Sequence, residues 1–175
     1  MRRVGLALLA AALIGSTGGA AAQFIPTYQA FFTDGSERLG FYVIEAGNAA
    51  DGEAAYSVLV RTIETDFAVD GVTLERIDLS QRFGDAARAY ALTSTLPART
   101  ADDGIALAVL DGTRAYLWVW VGDNPDRQGD FLALAADYLP VAERELAAGI
   151  DSIPDADGIA HRFGGDWHES DTFDT

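Results

Sequence analysis

The sequence predicts an α+β domain with a single antiparallel sheet of about five strands and two helices packed on one face. Short apolar runs that flank Asp-Gly turns predict strand hairpins. Two stretches with apolar residues at three- and four-residue steps predict amphipathic helices. The predicted order along the chain is ββαβββα. With 175 residues, 49% of them hydrophobic, the chain can form one core of ordinary size.

The first predicted hairpin covers residues 24–32 and 39–45, with the turn pair Asp34-Gly35 between them. Both stretches are rich in aromatic and β-branched residues, which suit a pleated surface. Residues 51–67 then change to helical spacing, and we expect a helix there with Asp51 as its N-cap. The β-branched residues within 56–63 leave a strand as the alternative.

In the second half of the predicted sheet, the sequence pattern indicates the first strands weakly and the last two strongly. Residues 72–79 fit either a short strand or an extended connection, and residues 86–95 fit a strand. Residues 105–121 form the clearest hairpin, because two continuously apolar runs flank Asp111-Gly112. Strands that are apolar on both faces usually lie in the middle of a covered sheet.

A closing helix is predicted from Phe131 to about Ala148, with Asp130 as its N-cap and a kink at Pro140. From residue 151 the chain becomes polar and acidic. Because an untethered polar terminus seldom packs, we expect residues 151–175 to be a mobile tail that follows a domain over residues 23–150.

The first 22 residues have the pattern of a secretory signal peptide. Arg2 and Arg3 precede an apolar run over residues 4–14, and an A-x-A site ends at Ala22. A membrane-spanning helix needs about 20 apolar residues, which this run does not reach. We therefore expect cleavage after Ala22, no stable membrane anchor afterwards, and a periplasmic or extracellular protein.

Charge and cysteine content exclude several classes of function. The net charge is −15, and all 12 basic residues are arginine. Such a chain repels nucleic acid, so no nucleic-acid partner is expected. The absence of cysteine excludes disulfides, cysteine nucleophiles, cysteine metal ligands and haem attached through cysteine. No cofactor is predicted.

Two runs carry a resemblance to a group of proteins. They are Gly-Val-Thr-Leu-Glu-Arg-Ile-Asp at residues 71–78 and Gly-Asp-Ala-Ala-Arg-Ala-Tyr at residues 84–90, followed by the apolar hairpin and the closing helix. Over roughly residues 40–148 the chain resembles small exported bacterial α+β proteins of unknown function. The resemblance implies export and an α+β sandwich, and it carries over no catalytic residue.

The most distinctive candidate for ligand binding is the aromatic alternation in the second apolar run. Tyr116, Trp118 and Trp120 fall on one face of the predicted strand. If the helices cover the opposite face, these rings could stack on a sugar, a hydrophobic peptide or another flat apolar ligand. The alternative is that the three aromatic residues fill the core.

The only histidines suggest a second candidate, a metal site. His161 and His168 occur near Asp166 and Glu169, and imidazole and carboxylate groups are zinc ligands. The alternative is that these four residues are solvated parts of a tail.

Motifs for catalysis are absent from the sequence, which has no nucleophile elbow, no phosphate loop and no dinucleotide fingerprint. The sequence therefore argues against an enzyme. It favours a non-catalytic extracytoplasmic binding or interaction module whose partner is a small molecule or a protein of the envelope or exterior. The alternatives are a metal-binding or metal-assisted hydrolytic protein that uses the C-terminus, and a structural accessory domain of an envelope assembly.

Overall fold

A computed structural model describes residues 26–67, 72–94, 103–124, 126–139, 153–171 and 173. The predicted signal peptide lies outside the described residues, as does the predicted helix beyond residue 139. The elements in chain order are β1 (Tyr28–Asp34), β2 (Glu37–Glu45), α1 (Ala49–Thr62), a π-helical turn (Ile63–Phe67), β3 (Val72–Ile77), β4 (Ala86–Ser94), β5 (Asp103–Asp111), β6 (Arg114–Gly122), α2 (Arg127–Tyr138), α3 (Ala156–Phe163) and β7 (His168–Ser170).

The described strands form one sheet in the order β3-β4-β5-β6-β2-β1-β7, and every neighbouring pair is antiparallel. The predicted α+β class and single antiparallel sheet are confirmed. The sheet has seven strands instead of about five, because β3 and β7 extend its two ends. The apolar hairpin predicted over residues 105–121 forms β5 and β6, which lie in the interior of the sheet.

The helices cover both faces of the sheet, so the prediction that two helices pack on one face is wrong. Leu59 and Ile63 of α1 and the following turn cover one face, hereafter the α1 face. Phe131 of α2 and Ile159 and Phe163 of α3 cover the other, hereafter the α2/α3 face. An apolar stripe shows that a helix buries one side, but it does not show which face of a sheet it packs against.

The ends of the helices differ from the predicted ones for local reasons. Asn48, not Asp51, caps α1, because its side-chain oxygen accepts a 3.0 Å hydrogen bond from the Asp51 backbone N–H. Helix α2 begins at Arg127, ahead of the predicted cap Asp130, and Leu139 ends it in an extended conformation. That conformation is expected of a residue that precedes proline. Within the described ranges, no helix is long and apolar enough to cross a membrane.

Residues 153–171 pack on the domain, and the expectation that they form an untethered tail is wrong. Asp155 caps α3, and β7 pairs with β1 through Phe31, Phe32 and Thr33. The buried apolar side chains of this segment explain the packing: Ile159, Phe163 and Trp167 join the core on the α2/α3 face. The many charged residues between them conceal this apolar spacing in the sequence.

Candidate functional site: the open edge of the sheet

The aromatic residues of β6 lie in the core. Tyr116, Trp118 and Trp120 are each 0% exposed and face α2 and α3. The Trp118 ring packs edge-on against Phe41, with 4.5 Å between ring centroids, and against Phe131, with 6.4 Å. The rings therefore fill the core, as the alternative drawn from the sequence describes, and they do not form an open aromatic face in this structure. Ligand binding by the three residues stays a prediction that requires α2 and α3 to move away.

Two hydrogen-bond donors in this core, both of them tryptophan indole N–H groups, are in an unusual environment. The indole N–H groups of Trp118 and Trp120 are buried and make no hydrogen bond within the described part of the chain. The third tryptophan differs, because the Trp167 indole N–H donates to the Gly164 carbonyl over 2.9 Å. An unpaired buried donor usually costs about 1–3 kcal/mol. The packing of the large rings therefore has to outweigh this cost.

The four residues predicted as a metal site are exposed and are not brought together. His161 lies in the last turn of α3, Asp166 in the following loop, and His168 and Glu169 in β7. Neighbouring residues of a strand point to opposite faces, so His168 and Glu169 diverge. Within the described part of the chain, the His168 ring makes one polar contact, with the Asp166 backbone oxygen over 3.3 Å. Among the described residues, no group of three or more His, Asp or Glu side chains could hold a metal ion.

A half-buried ionic cluster around Arg127 ties the C-terminal segment to the sheet. Arg127 Nε lies 3.3 Å from a Glu37 carboxylate oxygen, and the same guanidinium contacts Asp130 and donates to the Phe163 carbonyl. The central guanidinium carbon of Arg127, Cζ, also lies 5.4 Å from the centroid of the Phe163 ring. Burial raises the pKa of Glu37, and Arg127 only partly offsets this. The cluster is therefore best explained as a structural clasp between β2, α2 and α3.

In the described part of the chain, β3 forms the longer of the two edges of the sheet. Among the described strands, β3 pairs with β4 alone, and its other side carries no strand. A strand at such an edge presents unpaired backbone N–H and C=O groups to a partner. The opposite end of the sheet is different, because it terminates in the three-residue strand β7, and short edge strands offer little to pair with.

The side chains of β3 are a mixture of half-buried apolar and exposed charged groups. Val72 and Leu74 are partly buried against the α1 face, and Leu74 lies directly opposite the buried Leu92 of β4. Thr73, Glu75 and Arg76 are exposed. The apolar row on the α1 face therefore reaches the outermost strand and ends there without a covering strand.

A polar cluster borders this edge on the α1 face. The Tyr90 hydroxyl donates to Glu64 Oε1 over 2.5 Å, and an Arg88 nitrogen lies 3.4 Å from the same oxygen. Glu64 belongs to the π-helical turn that follows α1, and its carboxylate contacts β4. The side chain of Arg76, which pairs with Tyr90 in the sheet, forms no ion pair with a carboxylate in the described part of the chain. The edge thus carries one positive charge that has no carboxylate partner among the described residues.

The edge was only partly visible in the sequence. The sequence of residues 72–79 fits either a strand or a connection, since the alternation in Val72–Ile77 is interrupted by the adjacent charges Glu75 and Arg76. The contact between Glu64 and Tyr90 spans 26 positions and had no local signal. A scan of the chain against protein-family models and a search of curated proteins both returned no match.

Proposed function

We propose that the protein is a non-catalytic, extracytoplasmic interaction module that binds partners by adding an extended segment to β3. The observation that carries the proposal is the edge itself: a six-residue strand with one side that no described strand pairs, next to half-exposed Val72 and Leu74. In strand addition, backbone hydrogen bonds supply affinity and the alternating side chains supply specificity. The extracytoplasmic location rests on the signal-peptide pattern of the first 22 residues.

The composition of the edge defines the kind of segment that would fit. On the α1 face, a partner strand would place apolar side chains beside Val72 and Leu74 and a neutral or acidic side chain beside Arg76. On the α2/α3 face, it would meet Glu75 and the partly exposed Ile77. Cross-strand neighbours of this kind contribute about 0.2–1 kcal/mol each, so a few matched pairs separate good partners from poor ones.

Selection from a library of random peptides displayed on phage tests this function. We expect enriched sequences to bind the chain at β3 and to bind a Leu74→Lys variant about tenfold more weakly, because the new charge interrupts the apolar row. Ser57→Lys, on the exposed surface of α1, introduces the same charge away from the edge and should leave binding unchanged. Enriched peptides that bind both variants equally, or no enrichment at all, would contradict the proposal.

A further inference from the structure

The β3 strand is self-complementary in one register. A two-fold axis perpendicular to the sheet can join two copies of the chain edge to edge. The α1 faces of the two copies then lie on the same side of the joined sheet, so a residue lies opposite only residues of its own face. The axis must therefore pass beside a single residue, which lies directly opposite the same residue of the other copy. A register centred on Glu75 opposes two carboxylates, and one centred on Arg76 opposes two guanidinium groups. Like charges directly opposite each other destabilise a strand pair.

The register centred on Leu74 avoids both conflicts. It places Leu74 opposite its copy, Thr73 opposite Glu75 and Val72 opposite Arg76, so five residues of each strand pair without a like-charge contact. A register centred on Thr73 pairs only three residues within Val72–Ile77. The Leu74-centred register is thus the longest one that the charges permit.

The same register continues the apolar row of the α1 face. Leu92 of β4 lies beside Leu74 in the sheet, and a two-fold axis at Leu74 extends this row into the second copy as Leu74 and Leu92 again. Leu74 and Val72, which are partly exposed in one copy, would be covered there. The aliphatic stem of Arg76 can lie along the apolar Val72 of the other copy while its guanidinium stays in solvent.

We infer that β3 pairs with β3 of a second copy in the register centred on Leu74, forming a fourteen-stranded sheet across a two-fold axis. This inference rests on the proposed function, of which it names one partner. Charged side chains can protect an edge strand from pairing, and Glu75 and Arg76 would do so in every register that sets either of them against its own copy. The Leu74-centred register is the longest one that these charges leave open, so charge and strand length together favour it.

The overall charge of the chain sets how this pairing depends on salt. Each copy carries a net charge of −15, so two copies repel each other at low ionic strength. Salt screens that repulsion, since the Debye length falls from about 30 Å at 0.01 M to about 8 Å at 0.15 M. We therefore expect the dissociation constant of the dimer to be several-fold lower at about 0.15 M salt than at about 0.01 M.

Single cysteines test the register directly, because the chain has none of its own. Opposed residues of an antiparallel pair have Cα atoms about 4.5–5.5 Å apart, within the range of a disulfide. Under mild oxidation with copper phenanthroline, Leu74→Cys should form a covalent dimer at least about tenfold faster than Thr73→Cys or Glu75→Cys, whose copies are displaced along the strand. Equal rates at the three positions, or no dimer from Leu74→Cys, would overturn the inference.

A charge substitution gives an independent test on the chain without cysteine. Thr73→Lys places a positive charge opposite Glu75 of the other copy, twice per dimer, and should tighten dimerisation about fivefold. Leu74→Lys opposes two positive charges at the axis and should weaken it more than tenfold. Sedimentation equilibrium measures both, and circular dichroism checks that each variant is folded. If neither substitution changes the dissociation constant of the dimer, the inference is overturned. Its failure would leave peptide binding at β3 intact, whereas failure of the proposed function would remove both.

Discussion

The Tyr90 hydroxyl and the Glu64 carboxylate are joined by a 2.5 Å hydrogen bond, although 26 positions separate them in the chain. Tyr90 belongs to β4 and Glu64 to the π-helical turn after α1. The bond holds the end of the helical segment over the strand that supports β3. It therefore connects the covered part of the α1 face to the open edge of the sheet.

Removal of this hydrogen bond should loosen the turn. We expect Tyr90→Phe to lower the free energy of unfolding by about 1 kcal/mol, a modest value because the Glu64 side chain is 47% exposed. Tyr56→Phe is the matched control, since the Tyr56 hydroxyl lies in the same neighbourhood without a hydrogen bond to Glu64. Urea denaturation measures both variants. Equal losses of stability in the two would show that the bond contributes nothing specific.

The pH dependence of stability should reveal the buried carboxylate of the Arg127 clasp. Burial raises the pKa of Glu37 above its ordinary value of 4.5, so folding favours the neutral form. The stability that this preference contributes is complete below pH 4.5 and is lost as the pH rises through the raised pKa. Glu37→Gln, which stays neutral, should therefore gain stability relative to the unmodified chain as the pH rises towards neutrality.

Urea denaturation between pH 4 and pH 7 checks this prediction, with Glu53→Gln on the exposed surface of α1 as the control. Arg127 keeps Asp130 and the Phe163 carbonyl as partners in the Glu37→Gln variant, so the clasp should persist. If the stability profiles of Glu37→Gln and the unmodified chain run parallel over this range, the assigned pKa direction is incorrect.

Truncation of the aromatic residues of β6 decides between a core and a ligand site. We expect Trp118→Ala and Trp120→Ala each to cost about 3–5 kcal/mol, as for other large core residues. Tyr28→Ala, at a partly exposed aromatic residue against the same core, should cost less. Folded variants of near-native stability would instead revive the interpretation of these rings as a ligand-binding surface.

The glycine pair that joins α3 to β7 offers a test of the packed C-terminal segment. Both residues have positive φ values, +65° at Gly164 and +87° at Gly165. A Cβ at Gly164 would meet nothing within 4 Å, whereas one at Gly165 would lie 2.0 Å from a carboxylate oxygen of Asp34. That oxygen accepts the Asp166 backbone N–H over 3.1 Å.

Gly164→Ala should therefore cost only the strain of a backbone region that is almost restricted to glycine, about 1–3 kcal/mol, and Gly165→Ala should cost more because it also displaces Asp34. Limited proteolysis between residues 153 and 171 measures how readily the segment opens in each variant. Equal protection in the two variants would contradict the contact between Asp34 and the Gly165–Asp166 turn.

The parts of the fold that the sequence predicted were those with strong local patterns. The β5–β6 hairpin followed from two apolar runs around Asp111-Gly112, and α1 from its spacing of buried residues. The faces covered by α1 and α2 could not be predicted, because an amphipathic pattern specifies burial but not the partner. β7 has three residues, too few for a periodic signal.

The candidate site was harder to predict than the fold. Tyr116, Trp118 and Trp120 have the alternation of an exposed aromatic face, but the same pattern serves a core when helices cover both sides of the sheet. Only the three-dimensional order of the strands shows that β3 is at an edge, since neighbouring strands in the sheet need not be neighbours in the chain. Leu74 and Arg76 are relevant to partner binding because β3 lies at this edge.

Amide hydrogen exchange along the two edges of the sheet shows whether a partner segment binds at β3. It compares β3 (Val72–Ile77) with β7 (His168–Ser170), in the dilute chain and after addition of a saturating concentration of a selected peptide. Exchange should slow at the outward-facing amides of β3, because they become paired, while exchange in β7 should be unchanged. Unchanged exchange in β3 with a bound peptide, or protection confined to β7 or to the helices, would contradict binding at β3.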